Sequence, residues 1–190
     1  MKALGRLAQL EHLDLYQTEV DDAGVRCLSS LVNLRYLSLG TTRITDAALV
    51  CLCHMRELRE LNLGLVPIDD AGLRPLSNLS KLERLDLRMT QVAGPGLSYL
   101  RDLQRLRYLS LRGTDVSDAA LPHLSRLASL KELELSNTRI TSAGLPHLQK
   151  LENLQQLDVS RTAVTREGAL ELQKTHPGLR IKPFSRDGHE

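Results

Sequence analysis

The segment Leu103–Arg126 has the sequence LQRLRYLSLRGTDVSDAALPHLSR, and the rest of the chain repeats it. Seven such units follow one another with a spacing of 24 residues and no insertion, beginning at Leu7, Leu31, Met55, Leu79, Leu103, Leu127 and Leu151. Self-similarity at a fixed period of this length is the sequence signature of repeat architectures. The sequence therefore predicts a solenoid, in which each unit packs against the next.

Seven columns of apolar residues run through the seven units, and no polar residue enters any of them. Some columns hold leucine in every unit, whereas others alternate between valine and isoleucine or admit a methionine or an alanine. In the first unit the columns are occupied by Leu7, Leu10, Leu13, Leu15, Val20, Val25 and Leu28. Since a single unit is too small to bury these side chains, we expect stacking to build one continuous core.

Each unit has two halves with different periodicities. In the first half, Leu109 and Leu111 alternate with polar residues, which is typical of a strand with one buried face. In the second half, Val116, Leu121 and Leu124 are spaced by five and three residues, which is closer to a helical face. The pattern predicts one short strand and one short helix per unit, with all strands side by side in a parallel sheet.

Helix start signals lie between the two halves. The column of Asp21 holds Asp, Thr or Ser in six units and Ala93 in the other, so we expect these residues to cap the helices. Aspartates follow in four units, at a turn where the helix dipole favours negative charge. Small residues such as Ala71-Gly72 then predict close approach to the neighbouring unit. Prolines inside the helical halves predict short or irregular helices, at Pro75, Pro122 and Pro146.

The composition excludes several classes of protein. Apolar residues make up 42% and charged residues 25% of the 190-residue chain, as in globular proteins. A formal charge of +2 is too small to indicate a nucleic-acid or anionic-membrane partner. Three cysteines do not make a disulfide scaffold. With no signal peptide or membrane-spanning run in the residues present, we expect a cytoplasmic location.

No catalytic motif is found, and we expect a protein that is not an enzyme and needs no cofactor. The chain has no nucleophile elbow, phosphate-binding loop or HExxH sequence. Cys51, Cys53 and His54 lie close together, but their spacing is not that of a zinc site, and free thiols are the favoured interpretation. His123 and His147 share a column, and we interpret them as solvated side chains rather than metal ligands.

The consensus LxxLxxLxLxxTxITDAGLxxL resembles the leucine-rich repeats, above all the cysteine-containing repeats of F-box substrate receptors and similar bacterial repeats. The resemblance implies an α/β solenoid curved like a horseshoe, with a parallel sheet on its concave face and short helices on its convex face. It predicts a single domain over residues 1–182 and a C-terminal tail at residues 183–190. The family's Asn or Cys after the strand is Thr in six units here and Val66 in the other. We expect the threonine hydroxyl to bond to turn backbone between neighbouring units, which valine cannot do.

The two ends of the chain differ. Leu4 matches the last leucine of a unit whose strand is missing, so the first strand would be a bare sheet edge. We therefore expect either a piece of a longer protein, a lost cap, or an edge that serves as an assembly surface. At the other end, Leu179 and Ile181 predict one last short strand, after which Pro183 discourages further pairing.

The polar residues of the strands are the candidate binding surface, because they point away from the buried leucines. The alternative is a face that is merely solvated. Tyrosine and arginine are enriched at binding hot spots, and Tyr108, Arg112 and Arg88 are adjacent enough to anchor a partially acidic partner. The full candidate set is Tyr16, Tyr36, Arg84, Asp86, Arg88, Tyr108, Ser110, Arg112, Glu132 and Glu134.

The sequence thus predicts a non-enzymatic module that binds a protein partner on its concave face. One alternative is the substrate-recognition part of an F-box-type ubiquitin ligase or bacterial effector whose other domain lies elsewhere. Another is a structural unit that associates with itself through its N-terminal edge. We expect neither nucleic acid nor a membrane as the partner.

Overall fold

A computed structural model of the chain describes residues 1–182, so the predicted tail at residues 183–190 lies outside the described residues. Eight parallel strands form one sheet in chain order, and each strand pairs with its copy 24 residues later, as in His12↔Tyr36 and Tyr36↔Glu60. The strands are β1 (His12–Asp14), β2 (Tyr36–Ser38), β3 (Glu60–Asn62), β4 (Arg84–Asp86), β5 (Tyr108–Ser110), β6 (Glu132–Glu134), β7 (Gln156–Asp158) and β8 (Arg180–Lys182). The predicted solenoid and its last strand are confirmed.

The helical halves are short and largely 3-10 in character, as the prolines predict. Four α-helices are present in the described residues: α1 (Asp22–Arg26), α2 (Asp46–Leu49), α3 (Leu121–Leu124) and α4 (Arg166–Thr175). The 3-10 helices are Leu4–Arg6, Val50–His54, Ala71–Asn78, Pro95–Leu100, Asp118–Ala120 and Ser142–Lys150. Proline lacks an N–H and favours such irregular geometry inside a helix, and Pro75 and Pro146 lie within two of these 3-10 helices.

The seven apolar columns form one core between the sheet and the helices. Almost every member is buried, and the exceptions are in the first unit, whose strand β1 is at the edge of the sheet. Leu7 is 51% exposed, for example, whereas its counterpart Leu31 is fully buried. Burial of a leucine side chain is worth about 1.5–3 kcal/mol, so the core depends on neighbouring units rather than on any single one.

The threonine that follows each strand bonds within its own unit rather than to the next. In six units its hydroxyl donates to the carbonyl three residues earlier, as from Thr114 to Leu111 at 2.6 Å. The same hydroxyl-to-carbonyl bond has lengths of 2.5–2.7 Å in the other five units, at Thr18, Thr42, Thr90, Thr138 and Thr162. Val66 occupies this position in the third unit, is buried and has no hydroxyl to donate.

We expect Thr114→Val to lower the free energy of unfolding by about 0.5–1.5 kcal/mol, because it removes the hydroxyl donor and leaves the Leu111 carbonyl only the longer bond from the Thr114 N–H at 3.2 Å. The reverse change, Val66→Thr, keeps the side-chain shape and supplies the missing donor, so it should raise stability by about 0.5–1 kcal/mol. Urea unfolding of both variants measures the two effects. Opposite signs support this role of the hydroxyl, and equal signs contradict it.

Each unit turns after its strand through a residue in the left-handed conformation. The φ values lie between 54° and 68° at Gln17, Thr41, Leu65, Met89, Gly113, Asn137 and Arg161. The turns are held by stacked hydrogen bonds, in which the N–H of Leu65, for example, donates to the carbonyl of Arg88 in the next unit at 2.9 Å. Only Gly113 adopts this conformation without a steric cost. The stack therefore imposes the turn on side chains that disfavour it.

The aspartates at the helix starts bond to the next unit, a contact that the sequence alone does not indicate. Asp22 accepts from the N–H and the hydroxyl of Thr45, both at 2.7 Å. Asp118 likewise accepts from the N–H of Thr141 at 2.8 Å and from its hydroxyl at 2.6 Å. These carboxylates thus bind the backbone of the following unit, besides lying where the helix dipole favours them.

Helix capping follows the expected column with one exception. Five members of this column accept from backbone N–H groups at the start of their helices: Asp21, Thr45, Asp69, Thr141 and Thr165. Ser117 caps nothing through its side chain. Close approach of small residues to the neighbouring unit is confirmed, because a Cβ on Gly72, Gly144 or Gly168 would collide with the preceding unit's Asp46, Asp118 or Ser142 side chain.

Candidate protein-binding face

The side of the sheet turned away from the core is the concave face, and three columns of side chains cover it. Because the strands pair in register, each column places equivalent residues of successive units side by side. The first column begins at His12, the second at Asp14, and the third at Tyr16, two residues beyond the end of β1. The face is therefore an array fixed by backbone hydrogen bonds.

The first column carries two tyrosines, Tyr36 and Tyr108, and Arg84 between them. The guanidinium carbon of Arg84 lies 4.0 Å from the centroid of the Tyr108 ring, which is a cation–π contact. Arg84 also faces Glu60 with 4.0 Å between Nε and Oε2. Two strands earlier, the rings of His12 and Tyr36 are stacked with centroids 6.1 Å apart. The sequence placed these residues on one face, and the structure adds the direct contact between Arg84 and Tyr108.

A shallow depression of about 180 Å³ lies between these side chains. Tyr36, Arg84 and Tyr108 line it together with Glu60 and Asp86. Tyr108 is half-buried in its wall. Burial of the phenol, together with the nearby carboxylates of Glu134 and Asp86, raises the pKa of Tyr108 to about 12.

We expect one of the four tyrosines to titrate with a midpoint near pH 12, and Tyr108→Phe to remove that step. The folded state holds the phenol proton more tightly than the unfolded chain does. The raised pKa of Tyr108 therefore makes its full contribution to the stability of the folded state below about pH 10. Its contribution to stability then falls between about pH 10 and pH 12. Phenolate absorbance during alkaline titration of both proteins measures this. A wild-type curve without the late step contradicts the burial of this ring.

The second column is mainly structural. Asp86 accepts from the N–H of Arg88 at 2.9 Å, so it closes a turn at the end of β4. The same bond forms from Tyr16 to Asp14, from Gly64 to Asn62 and from Ser160 to Asp158. The sequence predicts Asp86 as a contact residue of the binding face, and the structure gives its carboxylate a local task in the turn.

Two further candidates in this column are bonded to each other. Ser110 is fully buried, and its hydroxyl donates to Oε2 of the half-buried Glu134 at 2.9 Å. A partner cannot reach the Ser110 side chain in this arrangement. Glu132 lies beside Tyr108 in the first column, where it is half-buried.

The third column contains a gap between two long side chains. A Cβ on Gly40 would lie 3.0 Å from the Tyr16 ring, and a Cβ on Gly64 would lie 2.9 Å from Cγ of Arg88. Tyr16 and Arg88 therefore lean over the two glycines from opposite sides. Arg88 also pairs with Asp86 at 3.5 Å, whereas Arg112 is exposed and pairs with no carboxylate of residues 1–182.

Asp158 lies at the far end of the second column with most of its side chain buried. Burial alone would raise its pKa, but bonds from Ser160 and the Lys182 ammonium 3.3 Å away outweigh that effect and hold the pKa below its ordinary value. The carboxylate is thus ionised and already neutralised by residues of the chain.

Comparison with known proteins supports the architecture. A family model described as Leucine Rich Repeat matches residues 129–151. An internalin of Listeria monocytogenes superposes with a TM-score of 0.82 over 100% of this chain, at 24% sequence identity. The chain has the leucine-rich repeat fold. A leucine-rich repeat protein of Leptospira interrogans matches with a TM-score of 0.67 over 96% of the chain, at 20% identity. No curated protein matches in sequence.

The leucine-rich repeat stack described here is part of a larger structure in some of these proteins. It spans 51% of both the Listeria internalin and the Leptospira protein. A second Listeria protein, internalin C2, matches with a TM-score of 0.64 at 23% identity, over 94% of this chain and 82% of its own length. Leucine-rich repeats typically take part in protein–protein interaction, which agrees in general terms with the sequence-based expectation.

Within residues 1–182, no three His, Cys, Asp or Glu side chains are grouped so that they could hold a metal ion. The three cysteines are half-buried free thiols. Nor does any helix in that range have the length and apolar character needed to cross a membrane.

Proposed function

We propose that this chain is a non-enzymatic module that binds a protein partner on its concave face, centred on Arg84 and Tyr108. The observation that carries the proposal is the contact of the Arg84 guanidinium with the Tyr108 ring at 4.0 Å, beside a depression that Tyr36 also lines. Tyrosine and arginine are the residue types that most often dominate binding energy at interfaces.

The state of these side chains favours binding over a purely structural role. Arg84 is held in place by Tyr108 and faces Glu60 only at 4.0 Å, with 46% of its side chain exposed. A partner therefore meets an arginine whose position is fixed and whose donors are largely free. Fixing a side chain before binding reduces the entropy lost on association.

The surrounding charge indicates the character of the partner. Arg88 and Arg112 extend the arginine cluster toward the turns, and Arg112 has no carboxylate partner in the described part of the chain. Opposite charge across an interface increases association rates and favours one partner over others. The proposed partner is accordingly a protein with a partially acidic surface.

The experiment identifies a partner with the wild-type chain and then compares the affinities of two triple variants for it. The immobilised wild-type chain is used to capture proteins from extracts of its source cells, and the purified candidate is then titrated calorimetrically. We expect Tyr36→Ala, Arg84→Ala and Tyr108→Ala together to weaken its binding at least about tenfold. An unchanged affinity overturns the proposal.

A matched control removes similar side chains from the helical side. Tyr99→Ala with Arg101→Ala and Arg126→Ala changes one tyrosine and two arginines that lie at or beside helices rather than on the sheet. This control should bind as the wild type does. If both triple variants lose the same affinity, the effect is not specific to the concave face, and the proposal fails.

A further inference from the structure

Two apolar side chains are exposed side by side at the turns that follow β3 and β4. Leu65 is 44% exposed and Met89 is 51% exposed. They occupy equivalent positions in adjacent units, and the carbonyl of Arg88 next to Met89 accepts from the N–H of Leu65 at 2.9 Å. Together they form an apolar strip at one edge of the concave face.

Folding does not favour leucine or methionine at these positions. Both residues have positive φ values, 62° for Leu65 and 54° for Met89, where a side chain with a Cβ is disfavoured. Each of the two residues remains about half exposed to water. Three other units have Gln17, Asn137 or Arg161 at this turn, as expected of an exposed loop. Strain combined with apolar exposure points to a use outside the fold.

A positively charged depression continues the strip. It has a volume of about 370 Å³, and Met89, Arg112 and Arg161 are among the residues that line it. It lies beside Gly113, which occupies the same turn position as Leu65 and Met89 but has no side chain. The guanidinium groups of Arg112 and Arg161 form no ion pair within residues 1–182, and the Asp158 carboxylate in the same wall is engaged by Lys182.

We propose that Leu65, Met89, Arg112 and Arg161, here called the turn edge, form a docking site for a partner segment in which an apolar residue precedes or follows acidic ones. The apolar side chain covers Leu65 and Met89, and the carboxylates face the two arginines. We choose an acidic segment because its charge is opposite to that of the depression. The inference rests on the proposed function, since it names a second part of the partner and the chemistry that recognises it.

The test uses short linear peptides displayed as a random library and selected on the wild-type chain. We expect selected peptides to combine an apolar residue with at least one Asp or Glu, and their affinity to fall when salt is raised. The Leu65→Asn and Met89→Asn double variant should weaken them at least about tenfold, and so should Arg112→Gln with Arg161→Gln.

Stability serves as the folding control. Asparagine tolerates the left-handed conformation better than leucine or methionine, so the Asn double variant should have an equal or higher Tm than the wild type. Lost binding in a well-folded variant is therefore a direct effect. Gln17→Asn changes the same turn position at the other end of the stack and should leave peptide affinity unchanged.

The possible results separate the two proposed sites. Peptides that depend on the turn edge, with or without dependence on Tyr36, Arg84 and Tyr108, support the inference. Peptides that depend only on those three residues overturn it and leave the concave-face proposal standing. Peptides that depend on neither set, or a library that yields none, overturn both.

Discussion

Replacing Asp70 by alanine should lower the free energy of unfolding by about 2–4 kcal/mol. The Asp70 carboxylate accepts from three backbone N–H groups of the next unit, those of Ala93, Gly94 and Gly96, at 3.2, 3.1 and 2.8 Å. Hydrogen bonds to a charged group are worth about 1.5–3 kcal/mol each but are not additive when they share one acceptor. Guanidinium unfolding, followed by circular dichroism, measures the loss.

The control for this change is Asp115→Ala. Asp115 also lies after a strand, but its carboxylate is 62% exposed and, among residues 1–182, pairs only with Arg139, at 2.7 Å. Exposed ion pairs contribute about 0–1 kcal/mol, so its removal should have little effect. Equal losses in the two variants would show that Asp70 acts as ordinary surface charge and not as a bond between units.

Gly96→Ala should also cost about 2–4 kcal/mol, through steric overlap rather than a lost bond. A Cβ at this position would lie 2.5 Å from the carbonyl oxygen of Asp70 and 2.6 Å from its Cα. Those atoms belong to the backbone of the preceding unit, so they cannot rotate away as a flexible side chain could. Relief would require the two units to separate, which also lengthens the bonds from Asp70.

The control is Gly178→Ala, because a Cβ on Gly178 would meet no atom within 4 Å. The change should alter stability by less than about 1 kcal/mol, since it only reduces the freedom of the unfolded chain. Comparing the two variants by thermal unfolding separates steric overlap from the general effect of replacing glycine. A Gly96→Ala protein as stable as the wild type would contradict the close approach of the units.

The core and the strands could be predicted from the sequence because their signal is periodic. Leu109 and Leu111 have the same neighbours in every unit, so the column identifies both the element and the buried face. The role of Asp70 could not be predicted in this way. An aspartate at a helix start serves the dipole of its own helix or the backbone of the next unit, and the sequence does not distinguish the two.

In the candidate site, too, the sequence predicts which face a residue lies on but not how exposed its side chain is. Alternation places Arg84, Tyr108 and Ser110 on the outer side of the sheet, yet Ser110 is fully buried whereas 46% of the Arg84 side chain is exposed. A short side chain on that face is covered by the longer ones of adjacent strands. Exposure therefore depends on the sizes of neighbours 24 residues away, which a pattern within one unit does not contain.

The register of the sheet sets a matching condition for any extended ligand that crosses it. Neighbouring strands are about 4.8 Å apart, whereas an extended chain advances about 3.4 Å per residue. Three strand spacings and four residues of the ligand therefore both span about 14 Å. The two spacings become commensurate at that length. Tyr36 and Tyr108 are three units apart, as are Tyr16 and Arg88. A ligand lying across the strands thus meets these two pairs with side chains four residues apart, in the same phase.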